Sequence, residues 1–199
     1  MRRIWIVFGV LAVSLAALPS VEAKVTKPYP GVTVIDDQTA ELTPADRPFA
    51  RKTGRQPFEK ADRVVVLKGE RKLVLMRGDR VLEAYTVALG RYAVGHKQRE
   101  GDERTPEGVY TLDHKLPKSL FYKAIHISYP NTDDLAHARR IGARPGGKIE
   151  IHGLPNDWDA KTLGHPKLDW TNGCIAVTNR EMDQIWASID PGTPIEIFP

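Results

Sequence analysis

Asp169-Trp170-Thr171-Asn172-Gly173-Cys174-Ile175-Ala176-Val177 runs from a polar turn into a short apolar strand, and its thiol directly follows a glycine. Upstream, Ile149-Glu150-Ile151-His152-Gly153 alternates apolar and polar side chains and ends on a histidine followed by a glycine. Alternation with a period of two marks a half-buried strand. Neighbouring strands lie about 4.8 Å apart. Pairing of the two segments would therefore place an imidazole and a thiol within reach of each other.

The chemistry of that pair follows from acidity. A free thiol has a pKa of about 8.5, so little of it is thiolate at neutral pH. An imidazole at His152 can take the proton from Cys174. Gly173 allows a tight turn before the thiol. The amides of Asn172, Gly173 and Cys174 are then candidate donors to a developing oxyanion, where one lost donor costs about 3 to 4 kcal/mol. Each residue alone also has a structural reading: His152 satisfied inside a sheet, Gly173 a plain turn, Cys174 a small buried hydrophobe. Cys174 is the only cysteine of the 199 residues, so it has no intramolecular disulfide partner. Histidine, glycine and a lone thiol together favour nucleophilic catalysis.

Working outward, Val64–Leu67, Leu73–Met76 and Val81–Ala88 are short β-branched or aliphatic runs. Lys68-Gly69-Glu70 and Arg77-Gly78-Asp79-Arg80 punctuate them as turns, the pattern of hairpins. Further strands are expected at Gly108–Leu112, Ala124–Ser128, Ile149–His152, Cys174–Val177 and Ile195–Phe198. Two helices are expected, a short charged one over Asp133–Ile141 and a better-marked one over Asn179–Ile189. Thr178 and Glu181 have the spacing of a capping box. Met182, Ile185, Trp186 and Ile189 fall on one face. The fold class is mostly β with one or two short helices.

The N-terminus has a different texture. Arg2 and Arg3 precede an apolar run, Ile4–Leu18, and the small residues near Ala23 complete the pattern of a secretory signal peptide over 1–23. Residues 24–61 are polar, with Pro28, Pro30, Pro44, Pro48 and Pro57, and read as an arm or linker. Residues 62–199 form the expected globular domain. No second run is apolar enough to span a membrane, so the expectation is a periplasmic protein with no membrane span after signal removal.

The net charge of +4 falls to +3 when Arg2, Arg3 and Glu22 are removed. That suits an anionic polymer. The charges are scattered and not interleaved with aromatics, so no nucleic acid partner is expected. No set has zinc-ligand spacing such as H-x₃₋₅-H or C-x₂-C, so no metal is expected. There is no Gly-rich phosphate loop, and no cofactor is implied. His96 and Lys97 lie in a glycine-bounded loop, Gly95–Gly101, that reads equally as groove lining or as solvated chain. His165 is a rival base but reads better as a loop residue, and His126 and His137 read as structural.

At these residues the sequence resembles the L,D-transpeptidase (YkuD-type) catalytic domain family, over Arg63 to Phe198. The family signature is a His-Gly and, after a loop, Ser/Thr-His-Gly-Cys, a small or apolar residue and Arg. Arg104-Thr105-Pro106-Glu107-Gly108 is similar to a Thr-Pro-x-Gly segment that leads into a strand in the family. The resemblance implies an L,D-transpeptidase-like β-sandwich. It implies Cys174 as nucleophile, His152 as proton acceptor and donor, and Gly173 with Asn172 at the oxyanion turn. His96, Arg104, Gly153 and Thr171 become candidate substrate-binding residues. The implied substrate is a peptidoglycan stem peptide, attacked to give a Cys174 thioester and then cross-linked. Asn172 replaces the usual second histidine, and Ala176 stands where an arginine is common. The phrases Gly95–Asp102 and Asp169-Trp170-Thr171 look like a YafK-like subgroup, which implies a hydrolytic alternative that releases a wall-attached lipoprotein. A non-catalytic wall-binding module is the remaining alternative, and retention of nucleophile, base and glycine argues against it.

Overall fold

The computed structural model describes residues 58–199. The expected signal peptide and nearly all of the expected arm lie outside the described residues. All eight expected strands form: β1 (Arg63–Leu67), β2 (Lys72–Arg77), β3 (Arg80–Thr86), β4 (Gly108–Leu116), β5 (Ala124–Ile127), β6 (Glu150–His152), β7 (Ile175–Ala176) and β8 (Thr193–Phe198). They make one eight-stranded sheet in the order β3-β2-β1-β8-β4-β5-β6-β7.

β1 reads Arg-Val-Val-Val-Leu because it is central and buried on both faces. It pairs antiparallel with β2 and parallel with β8, so the last strand lies beside the first. β3 is the edge strand and is mostly exposed. Arg80 and Glu83 on it discourage pairing with another chain. Arg77 faces Arg80 across the β2–β3 turn, and Gly78 there has φ +57°.

The sheet curls until its two ends meet. Beyond β3 the chain exchanges a hydrogen-bond pair between Ala88 and Ala176 of β7, with Ala88 N–H to Ala176 O at 3.0 Å and Ala176 N–H to Ala88 O at 2.8 Å. Side chains from both halves then enclose one core, including Val64, Val66, Leu73 and Leu75 with Ile125, Ile151, Ile175 and Ile197. This is the sandwich-like, mostly β architecture expected from the strand pattern. Ala61 belongs to the same core, and its N–H donates to Ser188 O at 2.9 Å.

The helices are α1 (Thr132–Arg140), α2 (Ala160–Leu163) and α3 (Asn179–Ser188). α3 carries the expected capping box, with Thr178 Oγ1 accepting from Glu181 N–H and Glu181 accepting from Thr178 N–H. Met182, Ile185 and Ile189 are fully buried, and Trp186 packs at the margin. α1 starts at an Asn131 cap paired with Asp134. α2 was not expected: it is a single turn, capped by Asp159 and ended by Gly164 at φ +67°. β4 runs four residues beyond its expected end, through a bulge after Leu112.

Candidate active site

β7 and the loop before it are clamped from both sides. On one side β6 pairs parallel, with Ile151 opposite Ile175 and His152 opposite Ala176. On the other, Thr171 N–H donates to Leu89 O and Arg91 N–H donates to Thr171 O, each at 3.1 Å. Asp169 locks the loop base: Oδ1 accepts from Leu89 N–H at 2.9 Å, and Oδ2 pairs with Arg71 at 2.7 Å.

Gly173 takes φ +126°, and a Cβ there would lie 2.6 Å from the Arg104 carbonyl oxygen. Only glycine fits both conditions. Thr171 is buried and shapes the same turn, its hydroxyl donating to Cys174 O at 2.8 Å and accepting from Gly173 N–H at 3.1 Å. The Gly173 amide is therefore engaged internally. Of the three amides expected at the turn, those of Asn172 and Cys174 remain as candidate oxyanion donors.

Cys174 is half-buried, and its Sγ–H donates to Lys148 O at 3.5 Å. Lys148 sits at φ +54°, a costly backbone state for a residue with a side chain and one that concentrates at functional sites. Burial pushes the thiol pKa up to about 12; the Glu150 carboxylate adds to this, while the Glu150 amide and Lys97 oppose it.

His152 is fully buried at the end of β6. Its Nδ1 lies 2.6 Å from Gly153 O. A carbonyl only accepts, so Nδ1 carries the proton and Nε2 keeps the lone pair. That Nε2 is buried with no hydrogen-bond partner among the described residues. Phe121 stacks on the ring at 3.8 Å between centroids, and Trp170 meets it edge-on at 5.8 Å. Burial lowers the His152 pKa to about 4, against the Gly153 hydrogen bond, with His165 lowering it further. Gly153 is required here, since a Cβ would lie 2.6 Å from Tyr122 O.

The register places Cys174 two residues before Ala176, which faces His152. Strand alternation puts all three side chains on one face, with the Cys174 and His152 Cα atoms about 8 Å apart along the diagonal. No hydrogen bond joins Sγ to Nε2. Both groups favour their neutral forms, so a preformed thiolate–imidazolium pair is not the resting state.

The remaining candidates divide. Asn172 Oδ1 accepts from Arg91 Nη1 at 2.8 Å, and Arg91 also pairs with Glu103 at 2.9 Å. Arg91 was missed by the sequence reading, because nothing local marks it. The Arg104 backbone packs on Gly173, while its guanidinium lies near Gly95. His96 is tied at both nitrogens, Nδ1 accepting from Glu107 N–H and Nε2 bonding Asp134 Oδ1, each at 2.9 Å. It anchors the loop to α1. His165 is buried against Trp170, more than a loop residue needs, and its Nε2 also lacks a partner among the described residues.

The model of the YkuD family, the L,D-transpeptidase catalytic domain, matches residues 61–197. The chain belongs to that family. It is 28% identical over 174 residues to YafK of Escherichia coli K12, a protein provisionally named an L,D-transpeptidase, covering 81% of this chain and 61% of YafK. Its fold resembles that of the helical cell shape determining protein Pgp2 from Campylobacter jejuni, with TM-score 0.53 and 25% identity, covering 72% of this chain and 51% of Pgp2. A point mutant of Pgp2 gives TM-score 0.52 and 28% identity, covering 67% and 45%. The chain thus spans only part of the length of these relatives.

Proposed function

We propose that this protein is a cysteine-dependent L,D-transpeptidase that acts on peptidoglycan stem peptides through a Cys174 thioester. The carrying observation is the orientation of His152: Gly153 O holds the Nδ1 proton, leaving the Nε2 lone pair on the face that also carries Cys174. Rotation of the Cys174 side chain from Lys148 O toward Nε2 makes the general-base contact when substrate arrives. Catalytic hydrogen bonds commonly tighten only in the complex. Sγ then attacks the stem-peptide carbonyl, and the oxyanion meets the Asn172 and Cys174 amides. His152, now protonated, delivers the proton to the departing amine, and an acceptor amine resolves the thioester. Arg91, held beside Asn172, supplies a cation near the turn.

A second reading keeps the same acyl-enzyme and resolves it with water, which includes release of a wall-attached lipoprotein. It is favoured by Ala176, fully buried against Ala88 where the family commonly has arginine. Likeness to YafK and Pgp2 supports a wall substrate and a role in cell shape. The N-terminal pattern supports export to the periplasm with cleavage after Ala23.

Incubation with purified muropeptides, followed by mass spectrometry, tests this. New cross-links indicate transpeptidation, and shortened peptides indicate hydrolysis. Cys174→Ser should form neither product. An unchanged muropeptide profile with the wild-type protein, or a fully active Ser variant, overturns the reading.

A further inference from the structure

Asp113 is the extra residue of the β4–β5 bulge. Leu112 pairs with Ile127 and His114 with His126, so β4 advances two residues where β5 advances one. In a regular strand Asp113 and His114 would point to opposite faces. The bulge brings them together, because a bulge re-aims a side chain. Asp113 Oδ1 lies 2.7 Å from His114 Nδ1 and 2.8 Å from His126 Nδ1. The two imidazoles stack at 4.5 Å between centroids, 23° from parallel, which fixes their Nδ1 atoms on the same side. All three ligand atoms lie within 4.8 Å of one another.

We propose that Asp113, His114 and His126 form a binding site for a divalent transition-metal ion of the zinc type. Two imidazoles and one carboxylate are a donor set that suits such ions. In the neutral rings each Nδ1 proton moves to Nε2, which frees both lone pairs at no net proton cost. The carboxylate contributes the third donor, and water completes the shell. Bond lengths of about 2.0 to 2.2 Å to each donor require neighbouring donors roughly 3.3 Å apart. The two separations from Asp113 Oδ1, 2.7 and 2.8 Å, must open by about half an ångström. His114 and Asp113 are exposed enough to do so. The spacing rule that excluded zinc from the sequence looks along one element; these donors come from two strands joined by register.

Glu150 stands between this site and Cys174, since His126 pairs with Glu150 across β5 and β6 and the Glu150 carboxylate acts on both imidazoles and on the thiol. The proposal rests on the cluster's own geometry and not on the proposed activity. The test uses the full chain without a histidine tag and with Cys174→Ser, which removes the thiol as a rival ligand. Calorimetric titration with zinc chloride at neutral pH should give one ion per chain. His114→Ala and His126→Ala should each weaken binding by about tenfold or more, the range seen when a metal's supporting partners are lost. Folding of each variant is checked by circular dichroism, and the exposed His114 keeps the test informative if His126→Ala unfolds. No binding at millimolar zinc, or binding unchanged in the His114→Ala protein, overturns the proposal.

Discussion

The environment of His152 predicts a specific acid sensitivity of the fold. Burial lowers its pKa from 6.5 to about 4. A histidine in the unfolded chain keeps a pKa of about 6.5. The unfolded state therefore binds the proton first as pH falls. The resulting stability is fully present above pH 6.5 and is lost as pH drops from there toward 4. Between pH 8 and pH 4.5 the loss from this one group amounts to about 2 to 3 kcal/mol, at 1.36 kcal/mol per unit of pKa. His152→Gln removes the titration and keeps a polar side chain that can still bond Gly153 O. Urea unfolding, followed by tryptophan fluorescence at both pH values, gives the two stability differences. The variant should start less stable, because it loses the Phe121 stack, but should lose about 2 to 3 kcal/mol less on acidification. His165, whose pKa burial also lowers, is present in both proteins and cancels. Equal losses in wild type and variant would refute the assignment of a neutral, buried His152. The same depressed pKa places the acid limb of thiol acylation below the ordinary histidine range, which a pH–rate profile would show.

Gly173→Ala should destabilise the protein by at least about 1 to 3 kcal/mol, because φ +126° disfavours a side chain and the new Cβ meets Arg104 O. It should also slow acylation, and a variant matching wild type in melting temperature and rate would disprove the tight-turn reading. Thr171→Val keeps shape but removes the hydroxyl that joins Cys174 O to Gly173 N–H. Thermal unfolding should show a loss of about 1 to 3 kcal/mol, the cost of leaving such buried groups unpaired. For export, N-terminal sequencing of the protein recovered from its native cell should begin at Lys24; a chain that starts at Met1 would defeat that proposal.

Local pattern alone determined a good deal of this protein. Runs such as Val64–Leu67 and Leu73–Met76 are strands because β-branched and aliphatic side chains suit a buried pleat, and that preference needs no distant partner. The Thr178–Glu181 box and the Met182, Ile185, Ile189 stripe are equally local, and α3 forms where they place it. Cys174 and His152 stood out in the sequence as candidates because a lone thiol and a strand-ending histidine, each beside a glycine, carry their chemistry in the residue type. Contacts between residues far apart in sequence decided the rest. Closure of the sheet through Ala88 and Ala176 positions the turn that leads to Cys174, yet neither alanine announces it. His96 looks free in its loop until Asp134 and the Glu107 amide occupy both nitrogens. The neutral resting state of His152 and Cys174 comes from burial, which depends on what the whole chain packs around them. Asp113, His114 and His126 converge because a bulge shifts the register of two strands by one residue. Residue type is written in the sequence, but burial and cross-strand neighbours exist only once distant segments have packed.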